Sequence, residues 1–267
     1  MDGNMNVLKW RRLAAERLRQ AGSPDPAADA KLISWGDALR ELSEAEEARL
    51  EELLARRLSG EPTQYVLGLA YFMGFEFFVD RRVLIPRQDT EVLVEKALKL
   101  LSALPGPRVL DLCAGSGAIG LSIAKLHPGA CVTLTDISAG ACAVIEENRA
   151  RLGAGAEILC GDLFEPVRGR AFDLIACNPP YVETGALANL QPEVRREPAL
   201  ALDGGPDGLG FYRRIGAACR EHLSPGGQLL LEIGSEQAEA VQEIFGGGEV
   251  YRDLCGRDRV IQIRGEV

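Results

Sequence analysis

From Arg108 onward, short apolar runs typical of strands alternate with segments whose apolar residues recur at helical spacing. The strand-like runs are RVLDLC, ACVTLTD, AEILC, FDLIAC and GGQLLLEI. Such alternation predicts a mostly parallel sheet with helices on both faces, because parallel strands need long crossover connections. Two closing strands, at residues 249–255 and 259–264, are joined by a short turn and must pair antiparallel. We therefore predict an α/β, Rossmann-like fold with seven strands, one of them antiparallel.

The residues before this pattern carry helix signals. Asp25 followed by Pro26 is typical of a helix amino terminus, and we predict a helix from there to Leu39. Ser43, with Glu46 three residues later, resembles a capping box and predicts another helix. These signals indicate a small helical bundle.

Residues 75–85 are rich in aromatic and β-branched residues around Asp80-Arg81, which predicts a β-hairpin between two domains. The predicted parts are a helical domain at residues 1–74, a hairpin and linker at 75–90, and an α/β domain at 91–267.

The composition argues against several classes of protein. A net charge of -9 lacks the basic excess of proteins that grip nucleic acid through its phosphates. Two histidines, and seven cysteines without a Cys-x-x-Cys pair, make a His-based triad or a metal site improbable. No apolar run approaches the roughly 20 residues of a membrane helix, and the amino terminus lacks a secretory signal. We expect a cytoplasmic monomer.

In an open α/β sheet, ligands bind at the carboxyl ends of the strands, near the point where the strand order reverses. After the first strand, Gly115, Gly117 and Gly120 match G-x-G-x-x-G, in which glycine lets a ligand approach the backbone closely. Nicotinamide cofactors, flavins and S-adenosylmethionine all use such a loop. The residues predicted to bind the cofactor here are Asp111, Cys113, Ala114, Gly115, Ser116 and Gly117.

The next two strands end in carboxylates. Asp136 can accept hydrogen bonds from both ribose hydroxyls of an adenosine, or it can cap the following helix. Asp162 can bond the adenine amino group with Leu163 packed on the ring, or it can serve as an ordinary turn carboxylate. We predict that all three residues bind the cofactor.

The sequence Asn178-Pro179-Pro180-Tyr181 follows the fourth strand. The prolines lack an N–H and keep the chain extended, so their carbonyl groups stay free, and the Asn178 side-chain oxygen is another acceptor. Two acceptors at fixed spacing can hold a planar NH2 group. The Tyr181 ring can stack on the flat substrate that carries this group. Because the lone pair of an amide nitrogen is delocalised, acceptors that draw on its hydrogens make it a better nucleophile. We predict that these four residues are catalytic, and that Asn178 also contacts the cofactor.

These motifs together resemble the S-adenosylmethionine-dependent methyltransferases, and among them the release factor glutamine methyltransferase family (HemK/PrmC type). The likeness covers nearly the whole chain. Its most specific part is LIPRQDTE at residues 84–91, which resembles the family's domain connection. Pro62, Gln64, Tyr65 and Gly68 resemble its hinge.

The resemblance implies a class I methyltransferase fold, S-adenosylmethionine as cofactor and S-adenosylhomocysteine as product. It implies that the substrate is the glutamine of the Gly-Gly-Gln tip of bacterial peptide chain release factors, which the helical domain helps to dock. Arg87 and Thr90, in LIPRQDTE, are implied to bind the substrate. Cys113 departs from the glycine that many relatives carry at this position.

Four alternatives stay open. A nicotinamide-dependent oxidoreductase would use the same glycine loop but leaves the Asn178 motif unexplained. A methyltransferase acting on an exocyclic base amine would use the same clamp after base flipping. A methyltransferase acting on a ribosomal-protein glutamine is closer still, and a non-catalytic cofactor-binding scaffold would carry the same motifs.

Overall fold

The computed structural model describes residues 5–265, which form two compact units. The helical unit runs to Leu69 and includes the separate segment Gln191–Arg196, while the α/β unit comprises Ala70–Leu190 and the chain from Glu197 onward. The helical unit thus ends before residue 74, the limit predicted from the sequence. Residues 1–4 and 266–267 of the predicted domains lie outside the described residues.

The segment Gln191–Arg196 joins the helical unit through specific contacts that lie more than a hundred residues apart in sequence. Arg57 donates to Glu193 Oε1 at 2.8 Å, and Arg196 donates to the carbonyl oxygen of Ser59 at 2.7 Å. The sequence assigns these residues to the α/β domain. The structure and the prediction differ because these side-chain contacts join residues that are far apart in sequence, and no local pattern reveals them.

The helical unit begins its helices where the sequence predicts. Asp25 Oδ1 accepts the N–H of Ala28, and Ser43 and Glu46 form a complete capping box. The second helix ends at Ile33 and not at Leu39, because the backbone leaves helical geometry at Ser34 and Gly36 has a φ of 125°. The four helices are α1 (Val7–Gln20), α2 (Pro26–Ile33), α3 (Glu44–Leu58) and α4 (Thr63–Leu67).

The β-hairpin lies earlier than predicted. It pairs β1 (Ala70–Phe72) with β2 (Phe75–Phe77), and the turn at Met73 and Gly74 has positive φ at both residues. Such a two-residue turn matches the twist of paired strands. The prediction of a hairpin turn at Asp80-Arg81 was wrong, since Asp80 instead binds the Arg82 guanidinium in a local turn outside any strand.

The α/β unit contains a seven-stranded sheet in the order β5-β4-β3-β6-β7-β9-β8. The strands are β3 (Arg108–Leu112), β4 (Cys131–Asp136), β5 (Ala156–Cys160), β6 (Phe172–Cys177), β7 (Leu223–Glu232), β8 (Glu249–Arg252) and β9 (Asp258–Arg264). β9 pairs antiparallel with both β7 and β8, and the other pairings are parallel. This confirms the predicted sheet. β8 ends at Arg252, short of residue 255, because the Asp253 carboxylate accepts the N–H groups of a turn.

Helices cover both faces of the sheet. Successive residues of β3 point to opposite faces, so Val109 packs with one core cluster and Leu110 with the other. The helices on the Val109 face are α5 (Glu91–Leu101), α6 (Ala118–Leu126) and α7 (Ala139–Leu152), and those on the Leu110 face are α8 (Gly210–Ala218) and α9 (Ala238–Phe245).

The strand order reverses between β3 and β6. From β3 the chain proceeds through β4 to β5 on one side, then returns to β6 on the other. Connections leave in opposite directions at this point, which opens a crevice at the carboxyl ends of the strands. Within residues 5–265, no helix combines the length and apolar character needed to cross a bilayer.

Candidate active site

A cavity of about 300 Å³ lies at the carboxyl edge of the sheet, entirely within the α/β unit. Its walls come from the segments that follow β3, β4, β5 and β6. The predicted site residues that line it are Arg87, Thr90, Cys113, Ala114, Gly115, Ser116, Asp136, Asp162, Leu163, Asn178 and Pro180. Asp111, Gly117, Pro179 and Tyr181 lie behind these walls and do not line the cavity.

The three glycines of the loop after β3 have different roles. Gly115 has a φ of 58° and open space where a side chain would begin, so it leaves room at the cavity wall. A Cβ at Gly120 would lie 2.9 Å from the Asp111 side chain and 2.8 Å from Leu134. Gly117 has a φ of 80° and precedes α6. Gly115 therefore leaves open space at the cavity wall, whereas tight packing explains Gly120.

Asp111 lies beneath this loop and is fully buried. Its Oδ2 accepts the N–H of Gly120 at 2.7 Å, and its Oδ1 has no partner among the described residues. Burial, with a contribution from the nearby Asp136 charge, raises the pKa of Asp111 to about 7. Asp111 therefore supports the loop from below and carries a carboxyl group that titrates near neutrality.

Asp136 joins the loop to the end of β4. Its two oxygens accept the backbone N–H groups of Gly115 and Ser138, each at 2.8 Å. Burial raises the pKa of Asp136, and both hydrogen bonds oppose that rise. Ser138, whose hydroxyl accepts the N–H of Ala141, is the residue that caps α7. The structure thus assigns the cap to Ser138 and leaves the Asp136 carboxylate at the cavity wall.

The segment after β5 contributes Asp162 and Leu163. Leu163 is buried at the wall with a φ of 46°, while Asp162 Oδ2 accepts a 2.6 Å hydrogen bond from Arg214. Arg214 also lines the cavity, and the sequence analysis did not identify it. One oxygen of the Asp162 carboxylate is therefore already engaged by a neighbouring guanidinium.

The Asn178 side chain faces the cavity, and its Nδ2 donates to Thr90 Oγ1 at 3.4 Å. Two glycines of the returning loop hold the turn that follows it. A Cβ at Gly204 would lie 2.9 Å from the Pro180 carbonyl oxygen, and one at Gly208 would lie 2.5 Å from that of Tyr181. Only residues without a side chain allow the loop at 182–207 to pack this closely.

Tyr181 differs from the prediction. Its ring packs against the core cluster on the α8 and α9 face, and its hydroxyl donates to Glu232 Oε1 at 3.3 Å. Burial raises the pKa of Tyr181 above its usual range. The Tyr181 ring thus lies in the core cluster and not among the residues that line the cavity, because a buried phenol needs a hydrogen-bond partner and that partner lies away from the cavity. The predicted stacking role of Tyr181 stays a prediction.

The residues behind the turn were missed by the sequence analysis. Glu232 ends β7, and Gln237 donates to the Tyr181 carbonyl oxygen at 3.0 Å. Tyr212 donates to the backbone carbonyl of Glu232 at 3.0 Å. The available signal was a carboxylate at the end of the otherwise apolar run GGQLLLEI, followed by Gln237.

Arg87 lines the cavity, but its guanidinium is engaged by an ion pair with Glu197, whose side chain is 1% exposed. Glu197 Oε2 also accepts the N–H of Ile85 at 2.9 Å. The next residues of the same loop, including Pro198 and Leu200, form part of the cavity wall. Arg87 therefore holds this wall in place through Glu197.

Comparison with known proteins agrees with this architecture. A family model described as the methyltransferase small domain matches residues 88–195, and the PrmC N-terminal domain matches residues 35–68. The 16S rRNA N2 G1207 methyltransferase of T. thermophilus, solved with AdoMet and guanosine, superposes with a TM-score of 0.55 at 20% identity, over 74% of this chain and 50% of that one. The ribosomal protein L11 methylase of Lactobacillus delbrueckii gives 0.51 at 20% identity, over 71% and 84%. The chain has the fold of a class I methyltransferase.

Curated relatives narrow the class. The release factor glutamine methyltransferase of Moorella thermoacetica is 42% identical over 92% of this chain and 94% of its own length. That of Geobacter sulfurreducens is 48% identical over 82% of this chain and 79% of its own. The chain belongs to the release factor glutamine methyltransferase family.

Proposed function

We propose that this protein transfers a methyl group from S-adenosylmethionine to the side-chain amide nitrogen of the glutamine in the Gly-Gly-Gln motif of peptide chain release factors. The observation that carries the proposal is the position of Asn178 in the wall of one cavity with Gly115 and Asp136. An amide-binding group and a nucleotide-binding loop then face the same space. Membership of the family supports the choice of substrate.

The residues at the cavity fit S-adenosylmethionine. Gly115 leaves open space at the wall, Asp136 offers a carboxylate for the ribose hydroxyls, and Leu163 offers an apolar surface for the adenine. When bound, this cofactor supplies an electrophilic methyl group on a sulfonium. Cys113 lies in the same wall and is half-buried.

The Asn178 motif activates the acceptor nitrogen. The Asn178 Oδ1 and a proline carbonyl accept the two amide hydrogens, which localises the nitrogen lone pair and stabilises the positive charge that develops during attack. Holding the nitrogen at roughly 3–3.5 Å from the methyl carbon supplies the entropic part of the rate acceleration. After the methyl group has been transferred, the positively charged nitrogen gives one of its protons to solvent water, and no histidine lines the cavity to act as a base.

The proposed substrate also leads to expectations about where the enzyme acts and what it binds. Release factors are translation proteins, so we propose that the enzyme acts in the cytoplasm, as a monomer and without direct nucleic-acid binding. A ribosomal-protein glutamine and an exocyclic base amine present the same NH2 group, and they are the alternative outcomes of the test below.

The test is mass spectrometry of a purified release factor after incubation with the enzyme and S-adenosylmethionine. We expect one added methyl group on the Gly-Gly-Gln glutamine, and none on a release factor in which that glutamine is glutamate. Methylation of ribosomal protein or of RNA, with an unmodified release factor, would contradict the proposed substrate. Asn189→Ala, which truncates an exposed asparagine, is the matched control for Asn178→Ala.

A further inference from the structure

Glu232 is a carboxyl group, 2% exposed, directly behind the wall that holds Asn178. Its Oε1 accepts the Tyr181 hydroxyl, whereas its Oε2 has no hydrogen-bond partner among the described residues. The polar and charged groups that face it from the surrounding elements are Asp89, Thr90, Tyr181, Tyr212 and Arg259. A buried oxygen without a hydrogen-bond partner lowers the stability of the fold, so the presence of Glu232 at this position needs an explanation.

Thr90 connects this carboxyl group to Asn178. Its Oγ1, on a side chain that is buried, accepts from Asn178 Nδ2 at 3.4 Å. Thr90 also lies close enough to Glu232 to lower the pKa of that carboxyl group, and Glu232 Oε2 has no other partner among the described residues. A hydroxyl has one hydrogen, and when its oxygen accepts from Asn178 that hydrogen must be directed to another acceptor. Glu232 is the acceptor that it faces.

We propose that Glu232 is a positioning residue for the amide clamp, acting through Thr90. By accepting the Thr90 hydrogen, the Glu232 carboxylate makes Thr90 an acceptor towards Asn178. Asn178 must then direct its NH2 group to Thr90, which leaves Oδ1 for the ligand. This inference rests on the proposed function, because only a substrate with an NH2 group requires Asn178 to present its oxygen.

The direction of these hydrogen bonds matters because an asparagine amide is nearly symmetric in shape. Rotation by half a turn exchanges Oδ1 and Nδ2 with little change in volume. In the rotated state, Asn178 would direct two hydrogens at the hydrogens of the substrate. One charged acceptor behind Thr90 is sufficient to select the productive orientation.

The substitution Glu232→Gln reverses the direction of these hydrogen bonds and leaves the size of the side chain unchanged. The glutamine NH2 group can donate to Thr90, which is then free to donate to Asn178 Oδ1, and the amide turns over. The variant removes a buried charge without leaving a cavity, so we expect it to remain folded. Thr90→Val removes the connection, while Thr90→Ser keeps its hydroxyl.

The wild-type connection is expected to depend on pH. Burial raises the pKa of Glu232 to about 7, although Thr90, Arg259 and Tyr181 oppose the rise. Protonation turns one acceptor oxygen of Glu232 into a donor, so the Asn178 orientation is favoured above this pH and weakened below it. Burial holds the pKa of Tyr181 and of Tyr212 above the usual range, so neither phenol titrates in the same interval.

Two measurements test the proposal in the full-length enzyme. The first is the NMR signal of the Asn178 side-chain NH2 group, assigned by its loss in Asn178→Ala and followed from pH 5.5 to 8.5. We expect a shift with a midpoint near 7 in the wild type and in Thr90→Ser, and no such shift in Glu232→Gln or Thr90→Val. This readout does not depend on any substrate, so it separates the inference from the proposed function.

The second measurement is the methyl-transfer rate with release factor at saturating S-adenosylmethionine. Glu232→Gln and Thr90→Val should each lower it by about 100-fold. The double variant should lose no more than either single variant, because the two residues act as one unit. Cofactor affinity should be unchanged in all of them.

An Asn178 signal that shifts equally in the wild type and in Glu232→Gln would overturn the proposal. Additive losses of rate in the double variant, or full activity in Thr90→Val, would do the same. A wild-type enzyme that leaves the release factor unmodified, but shows the expected Asn178 shift, would instead count against the proposed function alone.

Discussion

The Asp136 carboxylate accepts the backbone N–H of Gly115 at 2.8 Å, so the end of β4 and the glycine loop after β3 are held together by one side chain. The same carboxylate binds the N–H of Ser138, at the start of α7. The two segments that we propose to contact the cofactor are therefore coupled.

Asp136→Ala should weaken S-adenosylmethionine binding by about 1–3 kcal/mol, the cost of unpaired hydroxyls and a released loop. Titration calorimetry measures this directly. The matched control is Asp37→Ala, which removes a carboxylate that accepts a backbone N–H on the exposed surface of the helical unit. Wild-type affinity in Asp136→Ala would show that the carboxylate has no role in binding the cofactor.

Asn178→Ala should lower the methyl-transfer rate by more than about 100-fold, because it removes an acceptor that acts on the developing charge. Cofactor affinity should stay within about tenfold, since the side chain faces the acceptor nitrogen more than the cofactor. Rates come from methyl incorporation into the release factor, and affinity from calorimetry. An active Asn178→Ala enzyme would rule out the clamp.

Asp111→Asn should make the enzyme more stable at alkaline pH. Burial raises the folded-state pKa of Asp111 from 3.8 to about 7, so the stability that this carboxyl contributes is fully present below pH 3.8 and is lost as the pH rises through 7. The advantage of the neutral asparagine should thus grow with pH and level off above 7. Denaturant unfolding without cofactor should give a difference about 1–3 kcal/mol larger at pH 8.5 than at pH 5. An equal effect at both pH values would mean that Asp111 does not titrate in this interval.

Glu197→Ala should lower the free energy of unfolding by about 1–3 kcal/mol, because it leaves the buried N–H of Ile85 without its acceptor and releases Arg87. Urea unfolding monitored by fluorescence measures the change. Glu147→Ala, which breaks an exposed ion pair on α7, serves as the control and should have little effect. If both variants behave alike, the Glu197 contacts do not stabilise the cavity wall.

The strand and helix pattern was predictable because it depends on local periodicity. The seven strands, the reversed β9 and the helix caps at Asp25 and Ser43 follow from apolar spacing and from side chains that bond their own neighbours. The hairpin was predicted at the wrong position because its turn has no clear local signal. Its turn at Met73 and Gly74 is defined by two positive φ values, and Met73 gives little sign of such a conformation.

The candidate site was predictable where a residue lies at the end of a strand. Gly115, Asp136, Leu163 and Asn178 line one cavity because the carboxyl ends of neighbouring parallel strands converge at one edge of the sheet. Tyr181 shows where this reasoning stops. Its position in the chain was known, but the direction of its ring depends on Glu232, which lies 51 residues further on.

The amino-acid sequence by itself determined the order of the strands and helices, the position of the glycine loop and the motif that we propose to bind the amide. Only the tertiary structure decided which side chains support that motif. Thr90, the motif from Asn178 to Tyr181, and Glu232 come from three different segments. They meet because folding brings those segments together in a buried space where each polar atom needs a partner. Such pairings depend on three-dimensional packing, which no local pattern in the chain records.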